Sequence, residues 1–260
     1  MTNLIHTTKP TSQQKSDMLS LLSACKAKEP LSLSAPVEDD LEYDILLLYE
    51  NSSSDKEQFT KSSLAAMSFL FFSQETICEC CVFVAPKKRR KGYFTTLLNK
   101  SLNLVDAYEK RIGQPVDFCF LVDEKTPSAL AALKAIGAEY WYSEYKMERR
   151  LTDKDRNNTM TSLTIQDAGD NLYCAMLEGK VIGTSAILPS EQEIYLYAFQ
   201  IHEDFQGQGY GREFLLGMLA ILSHMGSTVT VQVSGQNYIA KNLYKKTGFQ
   251  TIESLSYYLY

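Results

Sequence analysis

The sequence predicts an α/β protein in which one plan of strands and helices is used twice. The plan is clearest in the second half. An apolar strand over Ile194–Ile201 runs through a short polar turn into Gly207, Gly209 and Gly211, and an amphipathic helix follows at once. Phe214, Leu215, Met218, Leu219 and Leu222 form its apolar stripe at i, i+3, i+4 spacing. Val229, Val231 and Val233 then alternate as a half-buried strand, and a second helix starts at Asn237 and stops at Gly248. The same order stands in the first half: a strand ending at Val84, a basic loop from Lys87 to Gly92, and a helix turning Phe94, Leu97, Leu98, Leu102 and Val105 inward. A strand alternating Val116, Phe118, Phe120 and Val122 follows, then a helix over 128–136 closed by Gly137. Self-similarity on this scale is an internal duplication, and 260 residues suffice for two domains.

The remaining elements are read in order. Residues 13–28 form a helix with Met18, Leu19, Leu21, Leu22 and Cys25 on its apolar face, followed by a loop carrying Glu38, Asp39 and Asp40. Residues 43–49 are a buried strand and 51–55 the turn after it. Strands over 65–72 and 76–84 form a hairpin around Ser73, Gln74 and Glu75. The join between the halves falls in the polar run 148–158. A hairpin over 172–177 and 181–188 turns at Glu178, Gly179 and Lys180, and 256–260 read as a final core strand, with a dimer edge as the alternative.

Composition narrows the function. A net charge of −5 argues against a general nucleic-acid binder. No apolar run follows a basic start, so no signal peptide is expected, and the longest apolar stretch, 64–72, is too short to span a bilayer. Cytoplasm is the expected compartment. Six cysteines include Cys78, Cys80 and Cys81, but a strand turns Cys81 away from the other two, and no second Cys or His pair completes a tetrahedral site. No metal is expected; free thiols in a reducing compartment are.

The glycine turn carries the chemistry. Glycines let a backbone approach a ligand, and free N–H groups at a helix start attract an anion. A Walker loop needs a lysine where Arg212 stands, and a dinucleotide loop needs Gly-x-Gly-x-x-Gly, whereas these glycines alternate. The pattern present is Gln206-x-x-Gly209-x-Gly211, followed by Asn237, Ala240, Leu243-Tyr244 and Gly248-Phe249. Each part has a plain structural reading: Asn237 is a good N-cap, Gly248 a helix-ending glycine, Leu243 core. Together, in this order, they resemble the two motifs of the GNAT superfamily of N-acetyltransferases. The resemblance implies two tandem GNAT-like domains, each a mixed, mostly antiparallel sheet flanked by helices. They are expected at 1–150 and 161–260, with 151–160 as linker.

It also implies a reaction: direct transfer of acetyl from acetyl-CoA to a primary amine. The pyrophosphate would rest on Gln206, Gly207, Gln208, Gly209, Tyr210 and Gly211, and the pantetheine arm on backbone near Phe199 and Ile201. Asn237 would position that arm or cap its helix. Tyr244 is the expected acid; Glu193, with Glu191 as an alternative, is the expected base through water. For each of these side chains a structural role stands beside the functional one: a core aromatic for Tyr244, a solvated strand end for the carboxylates. His202 is read as an exposed turn residue.

The first copy departs from the motif. Arg89-x-x-Gly92-x-Phe94 keeps the leading Arg and one glycine, while Thr126 and Leu133 stand opposite Asn237 and Tyr244. Leucine donates no proton, so this copy is expected to be structural or substrate-shaping, although its basic loop could hold CoA phosphates or be only a solvated turn. The acceptor is left open between a small-molecule amine and a peptide. A non-catalytic CoA-sensing or protein-binding module is the alternative function.

Overall fold

A computed structural model describes residues 2–34, 43–52, 61–156 and 162–260. The expected acidic loop at 38–40, residues 53–55 of the expected turn and 157–158 of the expected join lie outside them. In chain order the first elements are β1 (Thr2–Thr7), α1 (Ser12–Lys26), β2 (Asp44–Ser52), β3 (Lys61–Gln74) and β4 (Ile77–Val84). Next come α2 (Tyr93–Ile112), β5 (Asp117–Asp123), α3 (Pro127–Ile136) and β6 (Glu139–Arg150). The second half adds α4 (Asp153–Arg156), β7 (Thr164–Asp167), β8 (Leu172–Leu177), β9 (Lys180–Pro189) and β10 (Ile194–Ile201). It ends with α5 (Tyr210–Leu222), β11 (Thr228–Ser234), α6 (Tyr238–Lys246) and β12 (Gln250–Leu259).

Two compact units share these elements: Met1–Tyr142 with Leu255–Tyr260, and Ser143–Ser254. Within unit one the strands pair in the order β1, β2, β3, β4, β5, β12, antiparallel except for the parallel pair β4 and β5. Unit two repeats the plan as β7, β8, β9, β10, β11, β6, with β10 and β11 parallel. The closing strand of each unit therefore comes from the other half of the sequence. Residues Leu255–Leu259 pair with β5, and Glu144–Arg150 pair with β11.

Burial explains the patterns. In unit one β2 is covered on both faces. Leu46 and Leu48 enter a core with Leu97, Leu98 and Leu133, while Ile45 and Leu47 enter a second core with Met18, Leu21 and Leu22 of α1. A strand covered twice reads as an unbroken apolar run, which is what Ile45–Tyr49 shows. The start of α1 is fixed by a reciprocal bond pair between Thr11 and Gln14. In unit two, α5 and α6 pack into one core with β8, β9, β10 and β11, and Phe214, Leu215, Met218, Leu219 and Leu222 are fully buried there. Side chains of this size contribute about 1.5–3 kcal/mol each when buried. Between β7 and β8, where unit one has α1 between β1 and β2, the chain only turns, through Gly169, Asp170 and Asn171 at positive φ.

Candidate active site

Strands β10 and β11 are paired at Ile194 with Val229 and at Tyr195 with Thr230, and their ladder stops there. Both continue, β10 to Ile201 and β11 to Ser234, so a gap opens between their C-terminal halves. On its other edge β10 stays paired with β9, but its register shifts between Tyr197 and Gln200. Ala198 takes φ +48 at this shift. A left-handed alanine costs about 1–2 kcal/mol, so the surrounding ladder holds the bulge in place. Ala198 and Phe199 have no partner residue on β9, and the bulge turns their stretch of backbone out of that ladder.

The gap leads to the glycine loop. A one-turn 3₁₀ helix, Glu203–Phe205, is followed by Gln206, whose Nε2 donates to the Ile201 carbonyl at 2.9 Å and ties the loop to the end of β10. Gln208 Nε2 donates to the Asp204 carbonyl at 3.0 Å. Gly207 and Gly209 stand at φ +73 and +92, and a Cβ on either would meet nothing within 4 Å. Gly209 caps α5 with no side-chain bond, while the N–H groups of Arg212 and Glu213 return to its carbonyl. The first N–H groups of the helix point out of it into this open space. These residues fit the phosphate end of acetyl-CoA: donors without a capping side chain, a helix start and no side chain in the way. Gly211 has an ordinary backbone; a Cβ there would sit 3.7 Å from Ile201 and 3.8 Å from Leu243.

Tyr244 comes to the gap from α6. Asn237 caps that helix, its Oδ1 accepting from the Ala240 N–H at 3.0 Å, and Gly248 follows its end at φ +93. The Tyr244 ring meets Phe199 edge-on, with centroids 6.5 Å apart, and Phe249 at 5.5 Å. Burial, and then the neighbouring Tyr195, push its hydroxyl up to about 12. Glu193 lies just before β10, its Oε1 accepting from Lys146 Nζ at 2.9 Å, which leaves Oε2 for water. Glu191 is exposed. His202 is exposed, its Nδ1 3.6 Å from Asp204. The structure thus brings Phe199, Ile201, the loop and Tyr244 to one gap, with Glu193 at the closed end of its strand. That Lys146, Tyr195 and Thr230 stand beside the gap was not legible, because nothing in the sequence shows that β6 lies beside β11 or where the β10–β11 ladder stops.

Unit one has the corresponding gap, beyond four paired positions from Ile77 with Asp117 to Cys80 with Phe120. A cavity of about 610 Å³ lies there, walled by Leu31, Val82, Val84, Phe94, Phe120 and Leu133. Arg89, standing where unit two has Gln206, is paired with Glu29. The same carboxylate accepts from the N–H and hydroxyl of Ser128 at the start of α3. Burial works against that charge, but the Ser128 and Arg89 bonds outweigh it and hold the Glu29 carboxyl below its ordinary range. Thr126 donates to the Pro30 carbonyl rather than capping α3.

Residues 130–249 match the model of the Acetyltransferase (GNAT) family. The chain carries a GNAT acetyltransferase domain. Its match runs from within α3 through the glycine loop to Phe249. A curated relative, the uncharacterized N-acetyltransferase YycN of Bacillus subtilis (strain 168), is 33% identical over 61 residues, 23% of this chain. The chain spans 39% of that relative's length. Among solved structures, a GCN5-related N-acetyltransferase from Sphaerobacter thermophilus superposes with a TM-score of 0.72 at 15% identity, covering 99% of this chain and 95% of that one. A tandem GNAT protein from the clavulanic acid biosynthesis pathway gives 0.65 at 12% identity over 100% and 98%. At such identities the likeness is one of fold, a mixed α/β architecture with a mostly antiparallel sheet in a tandem arrangement.

Proposed function

We propose that the chain transfers acetyl from acetyl-CoA to a primary amine by direct attack, and that the working site is the gap in the second half. In this reading the catalytic unit is Ser143–Ser254 and the degenerate companion is Met1–Tyr142 with Leu255–Tyr260. The division expected from sequence, 1–150 and 161–260 with 151–160 as linker, gives way because the closing strands β6 and β12 are exchanged. The observation that carries it is the meeting of the Gln206–Gly211 loop, the bulged end of β10 and Tyr244 at one opening between parted strands. Acetyl-CoA supplies the acyl group as a thioester and leaves as the thiol. Phe199 and Ile201 offer backbone groups beside the gap, Gln206 braces the loop, and the helix-start N–H groups hold negative charge. Tyr244 is protonated at neutral pH and can donate from its hydroxyl. Glu193 Oε2 takes the amine proton through water. A reducing, cytoplasmic setting suits the free cysteines, and among the described residues no helix is long and apolar enough to cross a membrane. The acceptor in this reading is a small-molecule amine or a peptide, and the chain works as a monomer or homodimer.

Thiol release with the full chain, acetyl-CoA and a panel of amines tests the reading. Tyr244→Phe should lower turnover about 100-fold or more, the worth of a positioned acid, while calorimetry finds acetyl-CoA affinity within twofold of the parent. Unchanged turnover would remove Tyr244 from the chemistry. One observation favours the second reading, a non-catalytic CoA-sensing module: the cavity of unit one opens beside Arg90, and Lys87 and Lys91 are exposed on the same loop.

A further inference from the structure

The face of the unit-two sheet opposite α5 and α6 can be read row by row from the strand registers. Val229, Val231 and Val233 face the helices, so Thr230, Gln232 and Ser234 face away. Their partners on β6 are Glu148, Lys146 and Glu144, and Tyr195 of β10 stands opposite Thr230. Tyr195 and Tyr197 stack with ring centroids 5.8 Å apart, and Tyr197 is 44% exposed. On this face three carboxylates, of Glu144, Glu148 and Glu193, thus stand about the gap and its closed end with two cations, Lys146, which is bonded to Glu193, and Arg150, opposite Thr228 at the far end of the row. Gln232 Nε2 donates to Glu144 at 2.8 Å. At the apex of the gap Thr230 is wholly buried, and its Oγ1 has no hydrogen-bond partner among the described residues. A buried hydroxyl left without a partner costs free energy unless something bonds to it.

We infer that the acceptor is a diamine, with one nitrogen entering beside Thr230 and the other held as an ammonium by Glu144 and Glu148. This rests on the acetyltransferase reading above. A reacting amine must be neutral to attack, so carboxylates cannot retain it by its charge through the step. Anionic groups at the mouth therefore select a second, non-reacting cation on the same molecule. The Tyr195–Tyr197 stack gives that cation and its methylene chain an aromatic wall, and the Thr230 oxygen accepts from the N–H of the reacting nitrogen.

The test compares 1,5-diaminopentane with 1-aminopentane, which differ only in the distal amine, using thiol release by the full chain. The diamine should be favoured in kcat/KM by at least about tenfold, as expected of a charge-assisted contact. Glu144→Gln and Glu148→Gln should each lower that ratio several-fold, whereas a purely structural effect would lower both rates together and leave the ratio alone. Equal rates for the two amines, or a ratio that neither variant moves, would overturn the inference while leaving the acetyltransferase standing. If no amine is acetylated, that reading falls and calorimetry with the diamine alone decides the inference. Binding weakened several-fold by Glu144→Gln supports the site; no binding at millimolar diamine removes it.

Discussion

At Tyr244 the surroundings, more than the residue type, set the acidity. Burial first and Tyr195 second lift the hydroxyl from its ordinary 10 to about 12. A phenol is neutral when protonated, and its pKa is higher in the folded chain than in the unfolded one. Its contribution to stability is therefore fully present below about pH 10 and is lost as pH rises through about 12. Urea unfolding followed from pH 8 to 12 should show the parent losing stability more steeply above pH 10 than Tyr244→Phe does. Identical slopes would mean that Tyr244 is as solvated in the folded chain as in the unfolded one. Single residues were also where the sequence was easiest to read. Asn237 is an N-cap and Gly248 a helix-ending glycine at positive φ because their local chemistry allows little else. Lys146 and Thr230 are ordinary strand residues by type, and only their neighbours across strands give them meaning.

At the scale of elements the gap depends on how β10 is held against β9. Gly183 lies beneath the bulge, where a Cβ would come within 2.7 Å of Ile201 Cδ1 and 2.8 Å of the Gln200 carbonyl oxygen. The carbonyl is backbone and cannot swing aside. Gly183→Ala should therefore destabilise the chain by about 1–3 kcal/mol, an overpacking cost, read as a lower urea midpoint at unchanged m. It should also weaken acetyl-CoA binding, because the displaced segment carries Ile201, to which Gln206 is bonded. A variant as stable as the parent would show that β10 gives way freely and is not the rigid edge of the site. The helices and most strands were legible because periodicity reports burial, as the valines of β11 and the apolar stripe of α5 show. The strand β1 was missed: its six residues, Thr2–Thr7, make a short, mostly polar segment of which half is exposed. The bulge at Ala198 was not legible either, since alanine gives no sign of a left-handed backbone.

Across the whole molecule, the doubled plan was visible in the sequence but the exchange of closing strands was not. Both β6 and β12 alternate polar and apolar residues after a helix and a glycine, so either could close either sheet by pattern alone. The exchange places Glu144, Lys146 and Glu148, which follow the first repeat in sequence, within the sheet of the second. The two units also divide the ligand question. Unit two has the open glycine loop and Tyr244; unit one has a cavity of about 610 Å³, with Arg89 committed to Glu29 and leucine at 133. Calorimetric titration of the full chain with acetyl-CoA separates them most directly. One site per chain, abolished by Gly209→Trp, is the result that a working second half predicts, since φ +92 strains any side chain there and an indole would fill the open space before the helix start. Binding that survives Gly209→Trp undiminished would contradict the account and move the acetyl-CoA site out of the second half.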